Sequence, residues 1–371
     1  MKNKNLTIET LRGGAIFFMV LGHVIGDSSH TGLEVNDDSF LRFFYYMFEN
    51  IRMPLFTIIS GYVYTYKPVS KFSSNTKFIS GKIVRLLIPL AIVSTLFFLT
   101  QCAVPGTNTK NNLSSIWIIY IYPYSHFWFL QGMFIVFLLI TILESIKVLN
   151  SFRYALLVLT IPALIYLSAI PIIEVFSLDK VPFLLTFFII GLIFKRFQNE
   201  IFKRKTITIS VIVFTFIYAY SIYLFNHRLL NPSLAHLLTL IIGSTACLLL
   251  INIGFKNKQL IWLGNLSYCI YLFHVFGSAA SRILLNKLGV HNISLEVLSG
   301  LVVALSLPII LKLVCPQNGI LSMLLFGDKV KVNYKLDAES ILVEIPKPHL
   351  IVSNQANDRQ SAIITTEEIL L

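Results

Sequence analysis

Apolar runs long enough to cross a bilayer, which takes about 20 residues of helix, recur along this chain almost without pause, separated by short polar breaks. They predict ten helical spans, at roughly residues 10–27, 43–65, 83–104, 124–146, 152–170, 181–195, 206–225, 233–254, 260–281 and 293–315. Pro162, Pro171 and Pro182 punctuate the fifth and sixth, and the sixth is short. No intervening stretch is long enough for a soluble catalytic domain, so residues 1–327 read as one membrane-embedded domain. From Asp328 to Leu371 the chain turns polar, with "IPKPH" and "SNQANDRQS". Too few apolar positions share one period there to build a core, which predicts a short, loosely ordered cytoplasmic tail at 328–371. The fold class is all-α and polytopic.

Composition sharpens this. With 56% hydrophobic and 13% charged residues and a mean hydropathy of +0.75, an ordinary soluble domain is excluded. A net charge of +12 raises the question of nucleic acid, but the cations collect in alternate loops rather than on one face. Lys67, Lys71, Lys77, Lys82 and Arg85 follow the second span; Lys195, Arg196, Lys203, Arg204 and Lys205 follow the sixth. Smaller groups precede the first span (Lys2, Lys4) and follow the fourth, eighth and tenth, whereas the first intervening loop carries Asp27, Glu34, Asp37 and Asp38. By the positive-inside rule both termini are expected in the cytoplasm, as an even number of spans also requires. The expected partner is the lipid bilayer of the inner (plasma) membrane, crossed many times, and not nucleic acid. Cys102, Cys247, Cys269 and Cys315 lie in or beside apolar runs without metal-ligand spacing and read as packing residues, so no metal is expected. No trustworthy cleavage signal follows the first span, which is expected to stay in the mature protein. A fixed-period internal repeat of the kind many transporters carry is absent.

The first span contains "LRGGAIFFMVLGHV", with Arg12 and His23 eleven residues apart. On a helix this separation turns through about 1100°, leaving about 20° after three turns, and rises about 16 Å. The two side chains therefore share one face. Ionisable groups within a membrane are costly and usually face the bundle interior, which makes the pair a functional candidate. The plain alternative is a snorkelling anchor at Arg12 and a hydrogen-bonded core histidine at His23. The spacing suits a cation that holds a phosphate-bearing donor at the cytoplasmic face, and a deep imidazole that deprotonates an acceptor hydroxyl. Glu9 either pairs with Arg12 at i, i+3 or serves as an N-terminal carboxylate favoured by the helix dipole.

Four further stretches matter in order: "RMPLFTIISGY" (Arg52 to Tyr62), "KIVRLLIP" (Lys82 to Pro89), "HFWFL" (His126 to Leu130) and "LGNLSYCIYLFH" (Leu263 to His274). With the first span they make the chain, from residue 6 to about 315, resemble the integral-membrane acyltransferase family 3, the polysaccharide and O-antigen acetylase type. The resemblance implies a membrane O-acyltransferase that moves an acetyl or other short acyl group from acyl-CoA, most often acetyl-CoA, to a hydroxyl of a cell-surface glycan or its lipid-linked precursor. It makes His23 the catalytic histidine, Arg12 a donor-site residue, and Lys82 with Arg85 the basic pair of the cytoplasmic donor surface. Where many relatives have Asp, Arg and His, this chain has Glu9, Lys82 and Arg52; lysine lacks the planar fork that grips phosphate through two bonds.

The remaining candidates each have two readings. His126 and Trp128 contact the acceptor or belong to an interfacial aromatic belt. Ser267, Tyr268 and His274 line the site or bond between helices, and Ser60 touches substrate or, with Gly61, permits close helix packing. Glu49 and Arg52, three apart in an apolar context, are expected to pair with each other. His23 acts as general base or as a nucleophile carrying a transient acyl group. The rival function class is a transporter or flippase of a glycan or lipid, or an exporter in which His23 shuttles protons.

Overall fold

The computed structural model describes residues 5–315 and 319–329, and helix is the only regular structure among them. We label the helices α1 (Leu6–Ile25), α2 (Phe40–Tyr64), α3 (Asn75–Ala103), α4 (Trp128–Ser145), α5 (Phe152–Ser168), α6 (Val181–Arg196), α7 (Arg204–Asn226), α8 (Pro232–Ile253), α9 (Lys258–Asn265), α10 (Ser267–Lys287), α11 (Ile293–Val314) and α12 (Ile320–Phe326). A helix lies on each of the ten expected spans, and eight helical segments are long and apolar enough to cross a bilayer. The other two fall short for different reasons: α5 has 17 residues, and α2, at 25, carries Arg42, Glu49 and Arg52 in its length. The tail expected at 328–371 lies, from residue 330 on, outside the described residues.

Three expected spans are revised. The third, expected from 83, begins at Asn75. The ninth, read as one run over 260–281, is broken at Leu266 into α9 and α10. The fourth, expected from 124, begins at Trp128 after a tight turn over Ser125–Phe127, where Ser125 adopts a positive φ of 46°.

The helix at the centre is α1. Asn5 caps it by accepting hydrogen bonds from the Thr7 and Ile8 amides at 3.1 and 3.3 Å. It packs against α2, α9, α10 and α11, and 72% of its most apolar window is buried, against 17% in α7 and in α11, whose apolar side chains face outward as lipid requires. Close crossings hold the bundle. At the α2–α6 crossing, Gly61 lies on the Phe188 carbonyl and Gly191 on the Ile58 carbonyl, where any Cβ would collide. Gly61 therefore does serve helix packing, and neighbouring Ser60 turns its hydroxyl back to the Phe56 carbonyl at 2.9 Å.

A second local feature follows from a proline. Pro89 has no N–H, so the carbonyl four residues earlier, Arg85, loses its helical donor. The helix widens to a π-helical turn over Ile83–Leu87, and the Tyr268 hydroxyl of α10 donates to that carbonyl instead.

A histidine cluster as candidate active site

Three elements far apart in the chain each deliver one imidazole to a common point. α1 contributes His23, the Ser125–Phe127 turn contributes His126, and α10 contributes His274. Ring centroids are 5.0 Å apart for His23 and His274, 4.8 Å for His126 and His274, and 6.1 Å for His23 and His126.

The three differ in what surrounds them. His274 is fully buried, and its Nδ1 lies 2.9 Å from the Tyr271 carbonyl and 3.1 Å from that of Ile270. Carbonyls only accept, so Nδ1 carries the proton and Nε2 presents a lone pair. That Nε2 is buried without a partner, as is Nε2 of His126. The Tyr271 hydroxyl donates to the His126 carbonyl at 2.5 Å, and the Ser125 hydroxyl lies 3.3 Å from His126 Nδ1. His23 alone of the three is exposed, because it faces the interior space of the bundle. Among the described residues no group of His, Cys, Asp or Glu has metal-holding geometry, these three included.

Two cavities meet at His23. The larger, about 840 Å³, runs beside α2 and is lined by Tyr46, Glu49, Asn50, Arg52, Tyr166 and His236 among others. The smaller, about 360 Å³, is lined by Gln101, Asn108, Ser125, Ser278 and Arg282. His23, Asp27, Tyr45, His126 and Trp128 border both. The larger has the size and the mixture of aromatic walls with a few polar groups that small-molecule sites have.

Of the residues singled out from sequence, His23, His126, Trp128 and His274 are thus brought together. Arg12, Lys82, Arg85, Tyr268 and Ser60 line neither cavity. Arg12 pairs with Glu9, its Nη1 lying 3.0 and 3.1 Å from the two carboxylate oxygens, which is the i, i+3 reading of Glu9. The Lys82 ammonium sits over the Phe137 ring at 3.8 Å from its centroid. Arg85 stacks on Tyr268 at 4.1 Å and donates to the Phe326 carbonyl at 2.8 Å, with the Asp328 carboxylate at 3.3 Å. Tyr268 is therefore a companion of Arg85 rather than of the histidines.

The expected Glu49–Arg52 pair does not form among the described residues. The Arg52 guanidinium turns back two helical turns, stacks on the Tyr45 ring at 4.2 Å and donates to its hydroxyl. Seven residues on a helix return to the same face, so Tyr45 and Arg52 could have been matched from spacing. The two cavities, and the contact of Arg52 with α1, had no sequence signal beyond a glycine at 22.

Residues 5–313 match a family model described as an acyltransferase domain, that of acyltransferase family 3. Comparisons with curated proteins and with solved structures each returned no match.

Proposed function

The chain belongs to acyltransferase family 3 as a multi-pass membrane protein, and from that premise we propose that it transfers an acetyl or other short acyl group from acyl-CoA to a hydroxyl of a cell-surface glycan or its lipid-linked precursor, in the inner (plasma) membrane. The observation that carries this reading is the meeting of two cavities at one imidazole, His23. Direct transfer between two bound substrates is served by that topology, whereas a single-ligand binder has no use for it.

In this reading His23 is the general base. Its imidazole takes the proton of the acceptor hydroxyl, the oxygen attacks the thioester carbonyl carbon, and the C–S bond breaks as the thiolate leaves with the proton held by His23. Support comes from the neighbours of His23: His274 offers a fixed lone pair beside it, and Trp128 and His126 border the space where an acceptor would lie. A ring such as Trp128 suits the apolar face of a sugar.

The donor's phosphates are assigned to Arg12, Lys82 and Arg85. Arg12 engages Glu9 through Nη1 only, so the other donors of its fork can meet a phosphate. Eleven residues of α1 separate it from His23, about 16 Å, a distance an extended thioester arm must cover.

The test follows acetyl label from acetyl-CoA into base-labile esters of glycan-bearing lipid extract, using membranes with equal amounts of wild type or His23→Ala. Label in wild type with a loss of at least about 100-fold in the variant is the expected result. Equal labelling by both removes His23 as the base, and net movement of unmodified glycan by a protein that esterifies nothing points to a transporter.

A further inference from the structure

We infer that Arg52 is the electrophilic partner of His23, the group that holds the negative charge developing on the carbonyl oxygen during transfer; this rests on the acyl-transfer reading above.

The guanidinium reaches from α2 to α1 and lies directly on Gly22, the residue before His23. A Cβ built on Gly22 would fall 2.8 Å from Arg52 Cζ and 3.5 Å from Nη2, and closer still to Nη1. Only a glycine leaves room for the cation there. Tyr45 fixes the fork from the other side, stacking beneath it and accepting from Nη2. Both Arg52 and Tyr45 are buried to 9% exposure and border the larger cavity with His23.

The charge state of this group is what sets it apart. Among the described residues Arg52 makes no ion pair, although Glu49, one turn away, borders the same cavity. The other cations at the cavities are partnered: Lys180 lies 2.8 Å from Asp179, and Arg282 donates to the Gly106 carbonyl at 3.0 Å with Glu34 at 4.0 Å. A buried guanidinium that Glu49 reaches only through space, with no direct ion pair, is costly to fold around. Its cost is offset where negative charge appears transiently and where fixed donors need no reorganisation to meet it. Of the five N–H donors an arginine has, one serves Tyr45, so the fork retains donors for an oxyanion.

The step balances as follows. The acceptor O–H bond breaks, its proton passing to His23, and a C–O bond forms at the thioester carbon while the carbonyl π pair moves onto oxygen, facing Arg52. That pair returns as the C–S bond breaks, and the thiolate takes the proton from His23. The products are the ester and free thiol, with Arg52 unchanged.

The experiment measures initial rates of acetyl-label transfer from acetyl-CoA to glycan-bearing lipid extract, with full-length wild type, Arg52→Gln, Arg52→Lys, Gly22→Ala and His23→Ala purified in detergent and matched by melting temperature. Arg52→Gln is expected to lower kcat by about 100- to 1,000-fold, the loss typical of one oxyanion donor, with KM for acetyl-CoA changed by less than about threefold. Arg52→Lys should recover part of that loss. Gly22→Ala keeps the arginine and favours helix, yet its methyl pushes the guanidinium aside, so kcat should fall by at least about tenfold. Gly22→Ala decides the matter even if Arg52→Gln does not fold. Wild-type-like kcat in both Gly22→Ala and whichever Arg52 variant folds overturns the proposal. A wild type that makes no ester, or a fully active His23→Ala, overturns the acyl-transfer reading itself, and that outcome is distinct from an active wild type beside an active Arg52→Gln.

Discussion

His274 fixes its own tautomer. By giving its Nδ1 proton to the carbonyls of Ile270 and Tyr271, it aims a lone pair from Nε2 into the cluster, and that atom is buried with no partner of its own. An orphaned acceptor is expensive unless something donates to it during function. In the proposed transfer the protonated His23 ring, 5.0 Å away between centroids, is the natural donor, and His274 then acts as a positioning residue for the base. The two side-chain amides separate its two nitrogens. Asn reproduces the Nδ1 donor and leaves the Nε2 position empty, whereas Gln extends an amide to it. His274→Asn is expected to lower kcat by roughly 10- to 100-fold, short of the loss of a direct proton acceptor. His274→Gln should recover a measurable part of that rate and move the acidic limb of the kcat–pH profile, where the base becomes protonated, back toward wild type. Equal rates and profiles for the two amides would reduce His274 to packing.

The helices show where a sequence of this kind is legible and where it is not. Long apolar runs located α1, α6 and α8 to within a few residues, because bilayer thickness alone dictates their length. The break at Leu266 escaped a reading by hydropathy, which is averaged over a window with apolar runs on either side, although the Gly264–Asn265 pair before it is a helix-stop signal. Just before the break, Gly264 lies against the Glu9 carbonyl of α1, where a Cβ would collide. The π turn in α3 was half legible, because Pro89 predicts a freed Arg85 carbonyl but not that Tyr268 answers it. The same region gathers a charged latch beyond the spans. Asp328 accepts from Lys312 and Ser322 and faces Arg85 at 3.3 Å. Partial burial alone would raise its carboxyl, but the bonds and charges from Lys312, Ser322 and Arg85 outweigh this and hold it below the usual carboxylate range. The sign then follows. The charged form is favoured by folding, so its contribution is complete above the unfolded carboxylate pKa of about 3.9 and disappears as pH falls through the lower folded value. Asp328→Asn should therefore melt below wild type at pH 7 in detergent, and the gap should close progressively below about pH 4. A gap that persists unchanged at low pH would show that shape, not charge, holds the latch.

The proposed function sets donor binding and proton transfer at different depths of one bundle. Basic residues of α1 and α3 line neither cavity, and His23, about 16 Å along α1 from Arg12, borders both. The members of the histidine cluster could each be picked out in the sequence, yet their convergence could not, since it depends on α10 and the 125–127 turn packing around α1. That convergence also bears on the kinetic mechanism. If one cavity served both substrates in turn, the acyl group would have to wait on the protein, and His23 would be its carrier. With separate spaces of about 840 and 360 Å³ sharing His23, Tyr45 and Trp128, the proposed transfer can bring both reacting groups to His23 at once, and the acyl group need never rest on an imidazole. Initial rates at several fixed concentrations of glycan-bearing lipid extract should then give double-reciprocal lines in acetyl-CoA that intersect. Protein quenched after incubation with labelled acetyl-CoA alone should carry no label. Parallel lines, together with label on the protein that disappears in His23→Ala, would instead make His23 the nucleophile. The shared border would then be a swivel between two half-reactions rather than the seat of a ternary complex.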